Sequence, residues 1–343
     1  MTKKNNMQNN KIKIFLVLVL LCFSVCPLVK EADATVLEQI TFSSGSGLND
    51  YRPSWSPDGL NIAFSSNRNG DYDIWAIPSS GGSPYSIISG TDVEGEPAWS
   101  PNGENMAYGV WSSLDWTVNI YTKDILNNGT PEKITSFEYA DYPAWSPDGE
   151  NIAFTGGDWF TTDIYTISLL DGTLSQLTTD GFSYLGSWSP DGQNMVLFTL
   201  DQSGSDYQIY TMPSSGGSMT QLTFDTNTDN MFPAWSPNGK YITYQSLNKN
   251  TNTEDIWILP VEGGVPIKIT DFESTDIWAT LPSWSPDSTM LAFNSVVDGG
   301  TGRDIWIAYD LPIPVPEPLS LLFLGFGFAG LILVRKINKK RSR

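Results

Sequence analysis

Nucleophiles, bases and metal ligands are the residues that could do chemistry here, and most of the usual ones are missing. The 343-residue chain has no His, and its two Cys, Cys22 and Cys26, both lie in an N-terminal apolar run. Ser-His-Asp and Cys-His catalysis are therefore excluded, as are zinc held by imidazole or thiolate and a disulfide in the body of the chain. What remains is 38 Asp and Glu against 19 Lys and Arg, together with 13 Trp. Paired carboxylates can act as acid and base, and Trp faces can stack on sugar rings or cations. No pair of acids is singled out, so no catalytic residue, metal ligand or cofactor is assigned.

Six of the Trp mark a repeat. Trp-Ser-Pro recurs at Trp55, Trp99, Trp145, Trp188, Trp235 and Trp284, at spacings of 44, 46, 43, 47 and 49 residues. That period is in the range of propeller blades. Each copy runs into a turn pair such as Asp58-Gly59 and then an apolar run such as Ile62-Ala63-Phe64, which is a hairpin signal. A third strand follows, as at Asp73-Ile74-Trp75 and Asp255-Ile256-Trp257. A Gly-rich turn then leads to a fourth, as at Gln176-Leu177-Thr178. Four strands per unit make a blade. The sixth unit lacks its fourth strand, but Glu38-Gln39-Ile40-Thr41 precedes the first and fits that pattern. The expectation is an all-β, six-bladed propeller over residues 35–310 whose N-terminal strand completes the last blade.

This series resembles the TolB-like propeller repeat over residues 36–309. The resemblance implies the fold and says little about function. Similar propellers precede the catalytic domain of prolyl oligopeptidase-like peptidases, but here there is neither a Gly-x-Ser-x-Gly elbow nor a His.

Strand alternation puts the loops between strands two and three on the same face as the connections into each Trp-Ser-Pro. Four Trp outside the repeat pattern, Trp111, Trp116, Trp159 and Trp278, are expected on that face. So are the residues just ahead of each repeat Trp: Asp50, Tyr51 and Arg52; Glu94 and Glu96; Asp141 and Tyr142; Tyr184; Asp229 and Phe232. They are read as a binding surface around the mouth of a central channel, because rigid scaffolds carry function on their loops.

The two ends of the chain read as addresses. Residues 1–34 carry lysines, an apolar stretch and Ala32-Asp33-Ala34, the order of a secretory signal. At the other end a Pro-rich linker, 311–318, precedes an apolar run, 319–334, expected to be a transmembrane helix, and a basic cytoplasmic tail, 335–343. Val315-Pro316-Glu317-Pro318 with the segments after it resembles a PEP-CTERM sorting signal. The resemblance implies a Gram-negative protein anchored in the inner membrane as a precursor, cut by an exosortase near Pro316, Glu317 and Pro318, and delivered to the cell surface or medium. With +3 from residues 1–34 and +6 from residues 335–343 set aside, the −19 of the chain leaves −28 on the body. So acidic a body repels nucleic acid. The functional expectation is a monomeric, non-catalytic binder of extracellular polysaccharide or envelope protein. The alternatives are a hydrolase or lyase using acids at the channel mouth, or a plain membrane-anchored periplasmic scaffold. If the sorting assignment holds, Glu317→Ala should leave the tail attached in a host with the sorting peptidase. Mass spectrometry showing normal tail removal in that variant would overturn it.

Overall fold

The computed structural model describes residues 35–42, 47–270, 278–296 and 302–313. The chain divides into two units, Met1–Leu311 and Pro312–Arg343, and the strands all belong to the first. β1 (Val36–Gln39) precedes the repeats. The first repeat supplies β2 (Asp50–Trp55), β3 (Asn61–Ser66), β4 (Asp73–Pro78) and β5 (Tyr85–Ile88), and the second β6 (Val93–Trp99), β7 (Asn105–Ser112), β8 (Thr117–Asp124) and β9 (Glu132–Lys133). The third has β10 (Tyr139–Trp145), β11 (Asn151–Gly157), β12 (Thr162–Ser168) and β13 (Leu174–Gln176); the fourth has β14 (Tyr184–Trp188), β15 (Asn194–Leu200), β16 (Tyr207–Pro213) and β17 (Thr220–Gln221). The fifth has β18 (Thr228–Trp235), β19 (Tyr241–Asn248), β20 (Thr253–Pro260) and β21 (Ile267–Lys268), and the sixth β22 (Ala279–Trp284), β23 (Leu291–Val296) and β24 (Arg303–Tyr309).

The sheets correct the expectation of six separate blades and a transmembrane helix. Four sheets have four strands each: β2-β3-β4-β5, β14-β15-β16-β17, β18-β19-β20-β21 and β1-β24-β23-β22. The strands of the second and third repeats form one eight-stranded sheet instead. The β7–β8 hairpin is long, pairing out to Ser112 and Thr117, so the start of β8 reaches the start of β10. There Tyr139 pairs in parallel with Val118, whose amide donates to the Glu138 carbonyl at 3.0 Å. Among the described residues there is no helix, hence none long and apolar enough to cross a membrane. The segment 319–334, where that helix was expected, lies outside the described residues, as do residues 1–34 and Pro316, Glu317 and Pro318.

β1 pairs antiparallel with β24, from Val36 opposite Tyr309 to Gln39 opposite Trp306. The strand nearest the N-terminus thus closes the sheet made by the last three. The first strands of the repeats, β2, β6, β10, β14, β18 and β22, pack in that cyclic order, with β22 against β2. Apolar clusters fill the seams between repeats. In one, Ala63, Ile74 and Ile88 meet Met106, Tyr108 and Val110 of the next repeat.

Two hydrogen-bond devices recur and explain the motif. In the Ser-Pro-Asp-Gly turn, Ser56 Oγ donates to Asp58 Oδ1 at 2.6 Å and accepts the Asn61 amide at 2.9 Å. Gly59 has φ of 72° there; in the sixth repeat Ser288 takes the same left-handed conformation, with φ of 61°. In the fourth strand a Thr hydroxyl receives the amide of the third-strand Ile and donates to the side chain before it. Thr178 does so with Ile164 and Asp163 at 2.9 Å each, and Thr41 receives Ile305 at 2.8 Å and donates to Asp304 at 3.3 Å. Thr41 thereby locks the closing strand. Deleting residues 35–41 should expose the edge of β24 and lower the Tm by at least about 5 °C, given about 2–4 °C per kcal/mol for a domain of this order. Thermal melts followed by circular dichroism test this, and an unchanged curve would show that β1 does not hold the ring.

Candidate functional site

Every first strand is bulged just ahead of its Trp, and the bulge decides which side chains face the centre. The register slips between Tyr51 and Ser54, Gly95 and Ala98, Asp141 and Ala144, Leu185 and Ser187, Met231 and Ala234, and Thr280 and Ser283. In five repeats the residue before the Pro of the bulge is left-handed: Arg52, Glu96, Tyr142, Phe232 and Leu281, with φ between 50° and 58°. Such conformations cost roughly 1–3 kcal/mol each in non-Gly residues and are held only by what surrounds them. The fourth repeat has Leu185-Gly186 instead. A Cβ on Gly186 would meet the Pro233 carbonyl oxygen at 2.2 Å, so close approach of the fifth repeat requires the glycine.

The first strands of all six repeats line a central cavity of about 430 Å³, and the five left-handed residues are in its wall. Arg52 organises one side. Its guanidinium forms an ion pair with Glu96, lies 3.8 Å from Asp141 Oδ2, donates to Tyr142 Oη at 3.3 Å, and stacks 5.0 Å from the Tyr142 ring centre. Tyr142 in turn meets Phe232 at 5.8 Å.

A second cavity of about 280 Å³ opens beside it, between the second and third repeats. Its walls include Trp111, Trp159, Val93 and Val118, and Glu96, Asp141, Gly95 and Gly109 line it too. Trp111 and Trp159 are 41% and 49% exposed. Each is braced by an aromatic neighbour, Trp111 by Trp116 at 6.3 Å and Trp159 by Tyr139 at 5.5 Å. Asp141 Oδ1 is buried and accepts no hydrogen bond. Burial raises the Asp141 carboxyl above the usual range, with Arg52 and the Tyr142 amide opposing.

The structure brings Arg52, Glu96, Tyr142 and Phe232 to the central cavity, and Trp111, Trp159, Glu96 and Asp141 to the second. The other candidates lie elsewhere. Asp50 is fully buried and receives two hydrogen bonds from Arg68 Nη2, at 2.8 and 2.9 Å. Tyr51 packs on Tyr72, and Tyr184 on Phe198 and Tyr207. Asp229 holds Lys249 and the Tyr207 amide, the indole nitrogen of Trp278 is buried, and Trp116 stands on the surface behind Trp111. Counting back from each repeat Trp would have sorted most of these. Five residues back, Asp50, Glu94, Ala140, Ser183, Asn230 and Ala279 are all buried. Three back, the position points to the channel, which also assigns Leu281, an apolar residue missed by a search for acids and aromatics.

Glu94 is the second acid at the buried position, and it faces Asp73. In the first repeat Ile88 replaces the fourth-strand Thr, so Asp73 lacks the hydroxyl donor its counterparts have, and its Oδ1 and Glu94 Oε2 are both buried without a partner. Burial first, then the Asp73 charge, pushes Glu94 up to about 8, and Asp73 also rises, chiefly through burial.

Residues 84–253 match the family model described as the TolB beta propeller domain. No curated protein matches the sequence. Among solved structures, a putative TolB from Agrobacterium tumefaciens is 20% identical, with 82% of this chain and 98% of that one covered and a TM-score of 0.61. TolB from Acinetobacter baumannii is 24% identical, with 77% of this chain and 64% of that one covered and a TM-score of 0.57. An oligogalacturonate lyase from Vibrio parahaemolyticus is 12% identical, with 83% and 98% covered and a TM-score of 0.54. At these identities the likenesses show the fold, a TolB-like propeller, which is shared by proteins with and without lyase activity in their names.

The Glu94 site gives a pH test. The folded value, about 8, lies above the ordinary value of 4.5, so the protonated carboxyl belongs to the folded state. Its contribution is fully present below the unfolded value and is lost as pH rises to about 8, at a limiting slope of about 1.4 kcal/mol per unit. Glu94→Gln should flatten that part of the Tm profile and raise the Tm above about pH 8 relative to wild type. Parallel profiles for the two proteins would show that Glu94 is not the titrating group.

Proposed function

We propose that the protein is an exported, non-catalytic propeller that binds an extracellular polysaccharide in the cavity walled by Trp111 and Trp159. The observation that carries this reading is a small, half-open cavity with two partly exposed indoles in its wall and carboxylates at its base. At about 280 Å³ it sits just under the roughly 300–1,000 Å³ of small-ligand pockets, a scale suited to sugar units rather than to a folded partner. Indoles braced by other rings keep their orientation, so little freedom is lost when a sugar face stacks on them.

Binding is favoured over turnover because the two carboxylates facing the cavity, Glu96 and Asp141, are both tied to Arg52. The strongly acidic body also makes an anionic uronide, such as the substrate named for the similar lyase, a poor ligand here. Export through residues 1–34, passage through the inner membrane and exosortase processing before display at the surface belong to the same proposal.

Titration with polymers chosen from a polysaccharide array tests the reading. Trp111→Ala and Trp159→Ala should each weaken binding about 10- to 30-fold, as expected for aromatic hot spots, with the Tm nearly unchanged because both rings are half outside the core. Undiminished binding in the double variant would overturn the site.

A further inference from the structure

At the second cavity the seam lacks a contact that three of the six seams share; the seams at Ser65, whose hydroxyl is unpartnered, and at Phe198 lack it as well. Ten residues after the repeat Trp, a side chain of one repeat accepts the amide of the channel-facing residue of the next. Thr155 accepts Leu185 at 2.9 Å, Gln245 accepts Leu281 at 3.4 Å, and Asn294 accepts Arg52 at 3.3 Å. In the second repeat this position is Gly109. Its backbone does not require glycine, since it is not left-handed. Space does: a Cβ there would meet Asp141 Oδ1 at 2.4 Å. The carboxyl of Asp141 thus stands where a neutral acceptor stands in three other seams, over a bare backbone, and Asp141 lines the cavity.

The charges around it do not balance. Among the described residues Arg52 is the cation paired there, and it is shared between Glu96 and Asp141 Oδ2 while its face covers Tyr142. One guanidinium serves two carboxyls, burial raises that of Asp141, and its Oδ1 has no hydrogen-bond partner. A buried anionic oxygen without a donor is costly, and a charged donor offsets that cost best. An ammonium group brings three donors and one positive charge, and the indole walls attract cations as well.

We propose that the ligand of this cavity is a polysaccharide of amino sugars with free ammonium groups, one of which binds Asp141 Oδ1 between Trp111 and Trp159. This deepens the polysaccharide reading above and rests on it. The acidic body adds a long-range attraction for such a polycation.

The test compares a glucosamine tetramer with its fully N-acetylated counterpart by calorimetry at about pH 6, below the amine range of about 7.7–8.0. Wild type should bind the free-amine tetramer at least 10-fold more tightly, and this preference should shrink as salt is raised. Asp141→Asn should bring the ratio near one. Gly109→Ala, which pushes on the carboxylate without removing it, should lower the ratio and serves if the first variant does not fold. Equal or tighter binding of the acetylated tetramer, weakened by Trp111→Ala, would overturn the cationic ligand and leave the sugar site standing. Failure of both tetramers, with retention of neutral polymers from the array, would overturn it likewise, and failure of every polymer would remove both readings. Asp141-dependent binding of a lysine tetrapeptide, with no binding of the glucosamine tetramer, would replace the sugar by a cationic protein segment.

Discussion

A single hydrogen bond, repeated around the ring, fixes where everything else can sit. The indole N–H of one repeat Trp donates to the carbonyl just ahead of the preceding repeat Trp: Trp99 to Ser54 at 3.2 Å, Trp145 to Ala98 at 3.0 Å, Trp188 to Ala144 at 3.1 Å and Trp284 to Ala234 at 3.1 Å. A half-buried indole needs an acceptor, and the neighbouring strand provides one just past its bulge. Each bond therefore ties packing to the bulge, and the bulge to the residue it turns into the channel. Two seams differ. Trp235 donates to Gly239 in its own repeat at 3.3 Å, and its amide goes to Ser187 Oγ at 2.8 Å, beside the one bulge that has Gly in place of Pro. At the closing seam Trp55 has a buried, unpartnered indole nitrogen, and the Asn294 side chain holds the Arg52 amide instead.

This coupling explains what the sequence could and could not disclose. Trp-Ser-Pro, the turn after it and the Leu-Thr strand are each a local hydrogen-bond device, so each left a local signature. The repeats and the role of Glu38 to Thr41 followed from them. The fused eight-stranded sheet left none, because it depends on how far β8 and β10 extend. The channel mouth was legible only in part for a similar reason. Acids and aromatics ahead of each Trp look alike in a list of residues, but a bulge sends adjacent positions to different places. Asp50 and Glu94 go into the seams, Asp141 to the side cavity, and Arg52 and Glu96 to the centre.

Repetition also makes departures informative, since a residue that breaks the pattern is not explained by the fold its siblings share. Ile88 for Thr removes a donor and leaves two buried carboxyl oxygens, on Asp73 and Glu94, without partners. Gly109 for a hydrogen-bonding side chain removes an acceptor and opens a cavity. One change lies just before the second repeat and the other within it, the repeat that also carries the unpatterned Trp111 and Trp116.

The acids of this protein are handled in three distinct ways, and the contrast bears on function. Most buried or half-buried carboxylates have a cation or hydroxyl of their own: Asp50 has Arg68, Asp229 has Lys249, Asp255 has Lys268 and Thr270, and Asp163 has Thr178. Asp73 and Glu94 are shut away from solvent, and burial raises both carboxyls, as it does that of Asp141. Asp141 has half of a cation and a buried oxygen without a hydrogen-bond partner, and it lines a cavity. In a body carrying −28, a fold that so regularly supplies partners leaves this oxygen to be satisfied from outside, and the indoles beside it limit which cations can reach it.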